Sequence, residues 1–122
     1  MNLTYFPDER QIFNEVGYDP CKVSCDNNLI NNLKAPLAKN IVMLSLMKNQ
    51  LERFDFSLMP PRIRELQLTS NKISKIITNQ TMTLASLRVL DLSQNMITDV
   101  DPLLASVALP KLKTLDLSSN RI

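Results

Sequence analysis

One pattern occurs four times in this chain, and it limits the fold more than any other feature. Residues 41–51, 63–73, 87–97 and 112–122 each read apolar, two variable, Leu, one variable, Leu, two variable, Asn, one variable, apolar. The asparagines are Asn49, Asn71, Asn95 and Asn120, separated by steps of 22, 24 and 25 residues. A degenerate earlier copy over residues 23–30 places Asn28 another 21 residues before Asn49. Within each copy the leucines alternate: Leu44/Leu46, Leu66/Leu68, Leu90/Leu92 and Leu115/Leu117. A period of two puts each pair on one face of a short strand. A single such strand cannot bury its apolar face alone, but copies stacked side by side form a continuous core. Parallel neighbours need a return connection, which the residues between copies supply. The asparagine follows the strand where the backbone turns and loses its ladder partners, and its amide can bond to that backbone.

The string Leu-x-x-Leu-x-Leu-x-x-Asn-x-apolar resembles the strand segment of the leucine-rich-repeat family, matched in all four copies. The resemblance implies an α/β solenoid. That solenoid would be a right-handed leucine-rich-repeat horseshoe with short parallel strands on the concave face, an irregular convex side and an inward asparagine ladder. Two regions are expected: residues 1–40 as an N-terminal cap containing the degenerate first repeat, and 41–122 as four repeats, the last truncated. The chain reaches Ile122 directly after a strand and turn, which leads us to expect the front part of a longer solenoid.

The segments between strands contribute further apolar residues. Phe54, Phe56 and Leu58 precede Pro60-Pro61, which stiffens the approach to the next strand. Val100, Leu103, Leu104, Val107 and Leu109 are spaced for a short helix, with Asp101 as its predicted N-cap and Pro102 at the first helical position. Near the start, Pro7-Asp8 and the stripe Ile12, Phe13, Val16 predict an amphipathic capping helix over 8–16, closed by Gly17.

Cys21 and Cys25 are the two cysteines. In a straight strand their Cα atoms would be about 13 Å apart at about 3.3 Å per residue. A disulfide needs them within about 7 Å. A bend after Pro20 would permit the bond. The string around them is similar to the cysteine-bearing cap of secreted, plant-type leucine-rich-repeat receptors, but has three residues between the cysteines and no tryptophan.

Composition removes most enzymes. Histidine is absent, which deletes every Ser-His and Cys-His dyad and the commonest zinc ligand. With a single glycine, Gly17, no phosphate-cradling Gly-rich loop can form. Zinc and other cofactors are not expected, since two cysteines cannot close a tetrahedral site. A formal charge of +2 from 14 cations and 12 anions argues against a dedicated nucleic-acid binder. No apolar run is long enough to insert into a membrane, and no apolar core follows Met1 to make a signal peptide.

What remains is recognition. The variable strand positions of such a solenoid line its binding face: Met43, Glu65, Val89 and Thr114; then Ser45, Gln67, Asp91 and Asp116; then Met47, Thr69, Ser93 and Ser118. Met43 and Met47 are predicted as exposed, adaptable contacts. Asp91 and Asp116 should be near neighbours, and a column of Arg64, Arg88 and Lys113 could neutralise them or meet an acidic partner. Catalysis by the two aspartates is not favoured, because both belong to repeated Leu-Asp-Leu-Ser strings. Two Asn-x-Ser/Thr sequons, at Asn2 and Asn79, are candidate glycosylation sites, although chance alone predicts about 1.7.

The expectation is a protein or peptide-binding module without catalysis of its own. We take it first as the ligand-binding part of an extracellular or cell-surface receptor-like protein. A cytoplasmic scaffold or regulatory subunit, similar to the phosphatase-regulating leucine-rich-repeat proteins, is the alternative. A catalytic domain beyond Ile122 is compatible with either.

Overall fold

The computed structural model of the chain describes residues 20–34, 36–78 and 80–122. The capping helix predicted over 8–16 lies outside the described residues, as do both sequon asparagines, Asn2 and Asn79. In chain order the elements are β1 (Cys21–Ser24), β2 (Ile41–Ser45), β3 (Arg53–Asp55), a 3-10 turn (Phe56–Leu58), β4 (Glu65–Gln67), β5 (Lys75–Ile77), β6 (Met82–Thr83), β7 (Val89–Asp91), α1 (Asp101–Ser106), β8 (Val107–Ala108) and β9 (Thr114–Asp116).

The strands of the repeats form one five-stranded sheet in the order β1-β2-β4-β7-β9, every pair parallel. Its register follows the sequence repeat: Leu44, Leu66, Leu90 and Leu115 stand opposite one another in a single row. The return segments build smaller parallel ladders of their own, β3 with β5 and β6 with β8. The chain is therefore a parallel β-solenoid.

The alternating leucines make the core. Leu44, Leu46, Leu66, Leu68, Leu90 and Leu92 are fully buried, each contributing about 1.5–3 kcal/mol by burial. Ile41, Ile63 and Leu87 flank them on one side, and Leu51, Ile73 and Ile97 on the other. The return side closes over this row with Phe54 and Phe56, also fully buried and packed edge to face at 4.9 Å, the geometry that ring quadrupoles favour. Leu115, in the last strand, is 38% exposed where its counterparts are 0%.

Each strand stops where its asparagine takes over the backbone bonding. Asn71 shows the arrangement. Its Oδ1 accepts the Leu51 N–H at 3.2 Å, while its Nδ2 donates to Leu46 O at 2.9 Å and Leu68 O at 3.0 Å. Asn49, Asn95 and Asn120 repeat it, each capturing one amide and one carbonyl of the preceding coil. Among the described residues no buried side-chain polar atom lacks a partner. The residue just before each of these four asparagines, and before Asn28 of the degenerate copy, has a left-handed backbone: Asn27, Lys48, Ser70, Gln94 and Ser119 all lie at φ of 55–61°. The turn requires it, since a right-handed residue there would carry the asparagine side chain away from the core.

The helix α1 falls where the sequence places one, but its cap differs. Val100 is the N-cap and Asp101 is already in the first turn. Asp99 Oδ1 accepts the Asp101 N–H at 2.9 Å, so the turn is initiated two residues ahead of the predicted cap. Pro102, which has no N–H to satisfy, fits the first turn as expected. Among the described residues no helix is long and apolar enough to cross a membrane.

Candidate functional site: the outward face of the sheet

Inward positions of the sheet are nearly invariant from coil to coil, whereas its outward positions are mixed in chemistry, with only Ser24/Ser45, Asp91/Asp116 and Ser93/Ser118 repeated between neighbouring coils. The register gathers the latter into rows. Lys22, Met43, Glu65, Val89 and Thr114 form the first; Ser24, Ser45, Gln67, Asp91 and Asp116 form the second. Met47, Thr69, Ser93 and Ser118 follow just beyond the strands. There Thr69 Oγ1 and Ser93 Oγ share a hydrogen bond of 2.6 Å across neighbouring coils. The result is a patchwork of apolar, amide, hydroxyl and carboxylate groups on a backbone fixed by the core beneath it.

Asp91 and Asp116 do stand side by side, but the cationic column does not neutralise them. Each instead closes a local turn. Asp91 Oδ1 accepts the Ser93 N–H at 2.9 Å and the Ser93 hydroxyl at 2.6 Å; Asp116 does the same with Ser118 at 2.9 and 2.6 Å. Those bonds to Ser118, the hydroxyl first and the amide second, hold the Asp116 carboxyl below its ordinary range. Asp55 makes the same turn with Ser57 on the return side. The signal was present in the sequence as Asp-x-Ser at 55–57, 91–93 and 116–118.

In the coil of β2, which lacks this aspartate, the preceding coil supplies one. Position 45 is serine, and Asp26 Oδ1 accepts both the Ser45 hydroxyl at 2.7 Å and the Met47 N–H at 2.8 Å. Met43 and Met47 are less exposed than the sequence suggests. Both are half-buried: Met43 lies between Lys22 and Glu65 on the adjacent strands, and the Met47 backbone is held against the coil that carries Asp26.

The basic column is exposed as the sequence suggests. Arg64, Arg88 and Lys113 follow one another from coil to coil through backbone bonds, Arg88 N–H to Arg64 O and Lys113 N–H to Arg88 O, both 2.8 Å. The cysteines take the strand geometry. Cys21 begins β1, Cys25 follows its end, and both thiols are free, which the separation along an extended segment explains. Burial raises the pKa of each thiol, and the charge of Asp26 adds to the rise at Cys25. Neither is thereby poised as a nucleophile. Among the described residues no group of three or more cysteines and carboxylates is placed to hold a metal ion.

A parallel solenoid whose buried positions repeat and whose surface positions vary defines a repeat protein of the interaction class. The family model described as "Leucine rich repeat" matches residues 61–122, half of the chain. The chain belongs to the leucine-rich-repeat family, a fold of protein–protein interaction modules. Neither a curated protein nor a solved structure gives a match.

Proposed function

We propose that the outward face of the five-stranded sheet, the concave face of the solenoid, is a recognition surface for a protein or peptide ligand. The contrast between uniform inward leucines and mixed outward residues carries this reading. Stability alone would be served by any outward polar residue, yet Met43, Glu65 and Val89 occupy equivalent places in one row. The backbone beneath is held by buried asparagines and strand pairing, so the surface is presented without a large ordering cost on binding.

The test is selection of a random peptide library on the immobilised chain, with the selected peptides then measured against variants. Met47→Glu and Arg88→Glu should each weaken them, with thermal stability changed by no more than about 0.5 kcal/mol. Lys75→Glu on the return side should leave binding intact. Peptides that respond to Lys75→Glu and not to Met47→Glu would move the binding surface to the opposite side.

For cellular context, the similarity of the Cys21–Cys25 segment to a secreted cap and the Asn79 sequon favour the extracellular, receptor-like setting. The two free thiols speak for the cytoplasmic alternative. Intact mass of protein from its native source, with and without glycosidase, separates them: a glycan on Asn79 fixes the first, and unmodified chain the second.

A further inference from the structure

The N-terminal edge of the strands carries a stack of like charges. Arg64 N–H donates to Val42 O at 2.7 Å, Arg88 N–H to Arg64 O and Lys113 N–H to Arg88 O at 2.8 Å. These bonds place the three side chains on consecutive coils, about 4.8 Å apart at the backbone. The turns leading into two of these strands add Arg62 and Lys111. Those turns are closed by Ile63 N–H to Pro60 O and Leu112 N–H to Leu109 O, both 3.2 Å. All five cations are exposed. The neighbouring row contributes one carboxylate, Glu65, against them. The whole chain has a formal charge of +2, so this edge concentrates more positive charge than the molecule carries net.

Nothing in the fold needs this. Like charges directly opposite on adjacent strands are destabilising, and alternating signs would have served the sheet better. Beyond Glu65, the two carboxylates on the strands that carry Arg88 and Lys113 are engaged elsewhere. Asp91 and Asp116 lie three residues further along their strands, about 10 Å away, and their carboxylates are committed to Ser93 and Ser118. A row of unneutralised cations beside half-buried Met43 and Val89 is complementary to an extended chain bearing both carboxylates and apolar groups. A phosphate backbone or a sulfated glycan would call for a longer basic track and would leave those apolar groups unused.

We propose that the stripe Arg62, Arg64, Arg88, Lys111 and Lys113 docks an extended acidic segment of a partner protein, its backbone crossing the strands. The proposal rests on the outward face being the recognition surface and names the chemistry it selects. Carboxylates arriving there relieve the mutual repulsion of the stacked cations. The attraction should steer association and fade with salt.

The experiment titrates the whole chain with a fluorescent peptide of alternating Glu and Ser, alongside its Gln-Ser counterpart. The acidic peptide should bind, more weakly as salt rises, and the neutral one should not. Arg64→Glu/Arg88→Glu/Lys113→Glu should weaken binding at least about tenfold. Lys48→Glu/Lys72→Glu/Lys75→Glu, with the same change in net charge, should shift it less than about twofold. Should the triple reversal perturb folding by circular dichroism, the glutamine versions of the same three positions replace it. Equal losses in both triples would overturn the proposal, as would binding of a heparin octasaccharide or single-stranded DNA at the stripe without the acidic peptide. Library-selected peptides separate the two levels. If they lose affinity with Met47→Glu yet show no acidic enrichment and ignore the stripe reversal, the stripe fails, Arg88 included, and the recognition face stands on Met47 and the strand rows. If they depend on neither, both fail.

Discussion

Asn95→Ala is the substitution whose effect the structure predicts in most detail. Asn95 is buried and makes four hydrogen bonds. Its Oδ1 accepts Ile73 N–H at 3.1 Å, and its Nδ2 donates to Leu68 O, Leu92 O and Ser93 O at 3.0, 3.0 and 2.9 Å. Alanine removes all four, but the consequences differ. Leu68 O keeps Asn71 Nδ2, Leu92 O keeps Asn120 Nδ2, and Ser93 O keeps Ser70 N–H. The amide of Ile73, a fully buried residue, loses its acceptor. One orphaned buried donor costs about 1–3 kcal/mol, so we expect a loss of about 2 kcal/mol. For a chain of this size that is a fall in Tm of roughly 6–10 °C. Asn120→Ala removes the equivalent bonds at a part-buried site. Ile97 is as buried as Ile73, but the Asn120 side chain is only half-buried, so water can enter the space alanine leaves, and the loss should stay below about 1 kcal/mol. Asn95→Asp keeps an acceptor for Ile73 N–H but turns a carboxylate oxygen toward three carbonyls. It should be worse than alanine at neutral pH and recover as acid restores a donor. Urea unfolding with a shared m-value is the assay. Equal losses at Asn95 and Asn120, or a harmless Asn95→Asp, would refute the account of the ladder.

Three further outcomes follow from the same geometry. Lys48 sits at φ 58°, so Lys48→Val should destabilise by about 1–2 kcal/mol while Lys48→Gly stays within about 1 kcal/mol of the parent, as read by thermal unfolding. Cys25, buried and with a raised pKa, should resist iodoacetamide in the folded chain and react once urea unfolds it; peptide mass mapping reports this directly. Ser118→Ala should raise the Asp116 pKa toward the ordinary carboxylate value in an NMR titration. Because the folded value is depressed, the stabilisation linked to Asp116 is present above the unfolded pKa and is lost as pH falls through the folded one.

The sequence spelled out the sheet and its ladder because the same residues do both jobs. Leucines at a period of two name the inward face, and asparagine names the turn that must satisfy backbone groups inside the core. Helix α1 was legible for a similar reason: Pro102 and the spacing of Leu103 and Val107 act locally. The left-handed residue was not legible, since Asn27, Lys48, Ser70, Gln94 and Ser119 share a backbone angle and no side-chain chemistry. The return ladders were hidden too. Their residues do not recur from coil to coil as the leucines do, and Phe54 pairs with Ile76 only because stacking brings their coils together. At the candidate site, row membership was readable from the repeat, but the company each side chain keeps was not. From the repeat alone the column Arg64, Arg88 and Lys113 could serve Asp91 and Asp116 or an acidic partner, whereas a serine two residues away already holds each carboxylate. The bond from Met47 N–H to Asp26, 21 residues earlier, leaves no mark in the local sequence either.

The central claim is that this solenoid recognises a protein ligand with the outward face of its main sheet. Its most direct test is amide chemical-shift mapping on isotope-labelled chain titrated with the tightest library-selected peptide. The account predicts that the largest shifts fall on Met43, Glu65, Gln67, Val89, Asp91 and Arg88, and that Lys75, Thr83 and Ala108 on the return side stay still. Shifts concentrated on the return residues, with the sheet rows unchanged, would contradict it.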